Sequence, residues 1–144
     1  MQPRKQMLGK FAQAGICFLY LITSWNFSLR LDESEFSGGR VTGPLLNISD
    51  VGSLLFIVVL LLMFFFNRVS AAIMVLAAFL SLPLYIYFIA PGPFRWVFRG
   101  EYSVPLRSNF EWHFELVSRA MLLVLAIIVG VHILLSSARA RVAG

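Results

Sequence analysis

Along the chain, apolar residues gather into four stretches, 11–29, 45–66, 69–90 and 114–135, and polar residues return between them. A hydrocarbon core of roughly 30 Å takes about 20 mostly apolar residues per helix, and every stretch is close to that length. The second holds an unbroken apolar run from 54 to 66. Only the fourth carries charge well inside its limits, at Glu115 and Arg119, while Asp50 stands near the start of the second. The pattern predicts an all-α fold, an integral membrane four-helix bundle of up-down topology, with 1–144 as one membrane domain.

Composition agrees. Hydrophobic residues make up 59% of the 144 and charged residues 13%. A globule of this size still exposes roughly 30% of its unfolded surface, so it has no interior for so many apolar groups, and a soluble fold is excluded. Arg4, Lys5 and Lys10 precede the first stretch, Arg68 lies between the second and third, and Arg139 and Arg141 follow the fourth. No acid accompanies them. The opposite segments mix Arg30, Arg40, Arg95, Arg99 and Arg107 with Asp32, Glu33, Glu35, Glu101 and Glu111. Lys and Arg mark the cytoplasmic side, and the first helix usually dominates. Both termini are therefore expected in the cytoplasm if the membrane is a bacterial inner one. A basic start before an apolar stretch also resembles a signal peptide, but no small-x-small cleavage site follows Trp25, so an uncleaved span is expected.

The connections differ in character. Asn67 and Arg68 are expected to form a tight turn between the second and third helices. The outer segment 30–44 holds Ser37-Gly38-Gly39 and Gly43-Pro44, which suit a loop. The outer segment 91–113 is rich in aromatic residues and arginine, a composition fitted to the boundary between acyl chains and headgroups. Arg95, Trp96, Arg99, Arg107 and Trp112 are its candidate contacts to lipid or to an anionic ligand. Pro83 should kink the third helix, with Tyr85 and Tyr87 beyond it in an interfacial aromatic belt.

Charge inside a bilayer is costly, so each intramembrane ion needs a reason. Glu115 and Arg119 stand at i and i+4 with the acid first, the favourable order, and Glu111 lies one turn earlier. With Ser118 they form a polar stripe that continues through Leu122, Ala126 and Gly130 into a small-residue seam. Ala77 with Ser81 forms a second seam. Asp50 is expected to face the positive end of the second helix, and at a matching depth it would join Glu115 and Arg119. The candidate intramembrane cluster is therefore Asp50, Glu111, Glu115 and Arg119.

No catalytic set emerges, and no cofactor is expected. His113 and His132 would lie about 28 Å apart on one helix, too far to share a metal. Cys17 is the single cysteine. The net charge of +5 is divided between two membrane faces and signals no nucleic acid. The expected partners are membrane lipids and other membrane subunits or further copies of the chain. The favoured role is an accessory, assembly or scaffold subunit of a larger membrane complex. The alternatives are a homo-oligomeric transporter or channel using the polar cluster, and a lipid- or anionic-cofactor-binding protein or enzyme at the outer interface.

Overall fold

The computed structural model describes residues 2–32, 42–89 and 110–142, and all of them but the turn at 63–66 are helical. Helix α1 is Gln2–Asp32, α2 Thr42–Leu62, α3 Asn67–Ile89 and α4 Phe110–Val142. Each is long and apolar enough to cross a membrane, over Met7–Ser24, Pro44–Leu62, Asn67–Ile86 and Phe114–Ala138 respectively. The 25-residue window of α4 rises roughly 37 Å at 1.5 Å per residue, more than a hydrocarbon core requires, so this helix tilts or projects beyond it.

Helix boundaries depart from the apolar pattern at three places. The window of α1 begins at Met7 rather than at residue 11, because Lys10 does not delimit it. Its exposed ammonium donates to the Phe64 carbonyl at 3.5 Å, letting the aliphatic stem lie along apolar surface. Helix α2 starts at Thr42, which makes Asp50 its ninth residue and removes it from the first turn. The expected capping role for Asp50 is thereby corrected. Finally, the turn between α2 and α3 is not Asn67-Arg68 but Met63–Phe66. The amides of Phe65 and Phe66 both donate to Leu62 O, at 3.1 and 2.8 Å, and close α2. Phe66 O already accepts from the Ser70 amide at 2.9 Å, so Asn67 and Arg68 belong to α3. Hydropathy counted the three phenylalanines as span because it is blind to where the backbone turns.

Helix α1 packs on α2 and α4, and α3 packs on the same two. Phe56, Val59, Met74, Ala77, Ala78, Leu84, Leu116, Leu123 and Ala126 form the core between them. Two glycines set the closest approaches. A side chain at Gly52 would meet Ser81 Oγ and, at 2.9 Å, the Ala77 carbonyl oxygen, so α2 and α3 are nearly in backbone contact there. A side chain at Gly130 would come 2.5 Å from Val75 Cγ2 and 3.1 Å from Ala71 O, which brings α4 equally near α3. Close approach replaces the hydrophobic drive that lipid cannot supply. The seams at Ala77 and Ser81 and at Ala126 and Gly130 are therefore used inside the chain, and they give no argument for an external partner.

Helix α1 is the least apolar of the four. Its buried positions are Gln13, Cys17, Tyr20 and Ser24, spaced four, three and four apart on one face, while Phe11, Phe18, Leu19 and Ile22 are exposed. The polar face points inward because lipid solvates leucine and phenylalanine as well as a protein core does, whereas polar groups need partners.

Candidate functional site

The inward face of α1 meets α3 in steps. Gln13 Nε2 donates to Ser70 Oγ at 3.1 Å, and that hydroxyl donates in turn to the Asn67 carbonyl at 3.0 Å. Cys17 Sγ lies 3.8 Å from Met74 Sδ, and the Tyr20 and Tyr85 hydroxyls are 3.4 Å apart. The Tyr20 ring also packs on Phe56, with centroids 4.7 Å apart, and stands edge-on to Tyr85. Tyr85, expected in an interfacial belt, is instead among the most deeply buried side chains. Its ring is apolar enough to fill the core, and Tyr20 supplies the partner its hydroxyl needs.

Above the tyrosine pair sits Arg119, with 3% of its surface exposed. Its Nη2 donates to the Thr23 carbonyl at 2.6 Å and to Glu115 Oε2 at 3.5 Å. The carbonyl, and not the Thr23 hydroxyl, is the acceptor, since that hydroxyl donates to Leu19 O at 2.8 Å and to Tyr20 O at 3.0 Å. A helical carbonyl has a second lone pair for this purpose. Arg119 therefore ties α4 to α1. The Glu115 side chain is 30% exposed against 4% for Arg119, so the pair has one end at the surface of the bundle and one inside it. Arg119 lies in electrostatic range of Tyr20 and Tyr85, and Tyr85 in range of Arg119 and Asp50.

Of the residues singled out in the sequence, Glu115 and Arg119 are in contact. Asp50 is exposed on α2 and shares the electrostatic environment of Tyr85. The Ser118 hydroxyl donates to Glu115 O at 2.9 Å, within its own helix. Glu111 and Trp112 begin α4, but their side chains lie outside the described residues, as do Arg95, Trp96, Arg99 and Arg107 entirely. Tyr20, Thr23 and Tyr85 were missed by reading charges alone. For Tyr20 the signal was its spacing with Gln13, Cys17 and Ser24 on one face of α1.

Chemically, the arrangement neutralises an intramembrane cation and cross-links helices. Among the described residues, no three His, Cys, Asp or Glu side chains come together as metal ligands. Between the tyrosine layer and the Gln13 layer, Phe56, Val59, Cys17, Met74 and Leu123 are all sealed from the surface. Compared with known proteins, the chain matches no family model, no curated protein and no solved structure.

Proposed function

We propose that this small multi-pass membrane protein is an up-down bundle with both termini cytoplasmic, and that it serves as an accessory or assembly subunit of a larger membrane complex. The alternating direction rests on the pairings of Thr23 with Arg119 and Gly9 with Ile133 between α1 and α4, and of Lys10 with Phe64 between α1 and α2. The observation that carries the role is that the described core residues and the inward face of α1 are turned into the bundle. Phe56, Cys17, Met74 and Leu123 are all fully buried, and Gln13 Nε2 and the Tyr20 hydroxyl bond to α3 within the chain. A bundle whose inward polar groups are engaged within the chain leaves its outer faces for lipid and other proteins. Purification from native membranes in mild detergent tests the reading: other membrane subunits should remain bound. A lone species holding an ion or small solute would overturn it.

A second reading, an ionic or ligand site at the Arg119 end, is favoured by one observation: the partly exposed Glu115 carboxylate lies 3.5 Å from a buried guanidinium. Replacing Glu115 with Gln should then change ligand retention while leaving the bundle folded.

A further inference from the structure

The opposite end of the bundle, at the turn between α2 and α3, combines exposed aromatic rings with an all-basic rim. Phe64, Phe65 and Phe66 are exposed, Phe65 most of all at 81%. They lie where the apolar windows of α2 and α3 end and begin, at Leu62 and Asn67, and so at the edge of the hydrocarbon. Two cations flank them from different helices. The Lys10 ammonium reaches the Phe64 carbonyl from α1, using one of its three donors. Arg68, half-buried, stands in the first turn of α3, four residues beyond Phe64. His132 is exposed on α4 beside Ile133, whose side chain packs against Gly9, next to Lys10 in sequence.

No acid offsets these groups. Asp50 and Glu115, the described carboxylates inside spans, belong to the other end, and the segments 1–15, 60–75 and 130–144 contain no Asp or Glu at all. A cationic rim over a ring of phenylalanines matches an anionic phospholipid in two respects. The guanidinium fork and the ammonium suit the phosphate, and the rings suit the first methylenes of the acyl chains. A zwitterionic headgroup carries its own cation and gains less from the same site.

We propose that Lys10, Arg68 and the Phe64–Phe66 turn form a binding site for one anionic phospholipid. The inference does not rest on the accessory role.

The test uses the full chain, purified and delipidated in detergent, then titrated with phosphatidylglycerol or phosphatidylcholine and read by native mass spectrometry and thermal unfolding. Phosphatidylglycerol should be retained and should raise the unfolding temperature, and phosphatidylcholine should do neither. The K10Q/R68Q variant should bind phosphatidylglycerol about 30-fold more weakly, as expected for two basic groups at an anionic surface. The conservative K10R/R68K variant should keep the affinity, and it remains informative if the glutamine pair does not fold. Raising the salt concentration should weaken retention. Equal binding of the two lipids, or K10R/R68K losing affinity while folded, would overturn the proposal, as would undiminished binding by K10Q/R68Q.

Discussion

Gly52→Ala is the sharpest probe of how α2 and α3 are joined. The new methyl group would be directed at Ser81 Oγ and would lie 2.9 Å from the Ala77 carbonyl oxygen, closer than almost any real side-chain carbon sits to a neighbour. Among the described residues Ser81 Oγ has no hydrogen-bond partner, and its side chain can rotate, but the Ala77 carbonyl is helix backbone and cannot. The helices must therefore separate locally, and overpacking of this kind costs about 1–3 kcal/mol. Ser81→Ala separates the two contributions. Alone it removes a buried, unsatisfied hydroxyl and should be neutral or mildly stabilising. Combined with Gly52→Ala it should recover part of the loss, leaving the share due to Ala77. Cys17 provides the assay, since it is the chain's one cysteine and is fully buried. A thiol-reactive maleimide will label it only when the bundle opens, so labelling against denaturant or temperature reads stability directly. Gly52→Ala labelling along the wild-type curve would refute the close approach, and a double variant no more stable than Gly52→Ala would refute the part assigned to Ser81.

Other outcomes follow from the same contacts. Gly130→Ala should lose about 1–3 kcal/mol by the Cys17 assay, because Val75 and the Ala71 carbonyl crowd the added carbon. Arg119→Leu removes the charged bond to Thr23 O and should lower both folded yield and thermal stability, by about 1.5–3 kcal/mol where the bond itself dominates; unchanged unfolding in detergent would count against it. Tyr85→Phe should cost about 0.5–1.5 kcal/mol by taking the partner from the buried Tyr20 hydroxyl. A double-mutant cycle between Asp50→Asn and Arg119→Gln should show coupling if the two ions share the Arg119 end, and strictly additive effects would separate them.

The membrane-spanning helices were legible because lipid imposes a length and a polarity that few other environments do. Glu115 and Arg119 stood out for the same reason, as charges in an apolar run. What escaped was everything decided by direction. Hydropathy ranks Tyr85 as interfacial and the triple phenylalanine as span, yet one is drawn inward by Tyr20 and the other is turned outward by two amides closing on Leu62 O. The small-residue seam at Ala77 and Ser81 was visible, but its partner Gly52 lies on another helix, and a single chain of letters does not pair the two. The inward face of α1 was hidden because its residues are ordinary one at a time. Only their spacing makes them a surface.

That surface has a consequence in time. The bonds of α1 join residues 57, 65 and 96 positions apart, to Ser70, Tyr85 and Arg119. Synthesis delivers α1 before any of these partners exists. In that interval Gln13 and Tyr20 face either lipid or the insertion machinery, so α1 enters the membrane with its polar side unsatisfied until α3 and α4 arrive. The bond from Arg119 to Thr23 O therefore cannot form until α4 has joined α1.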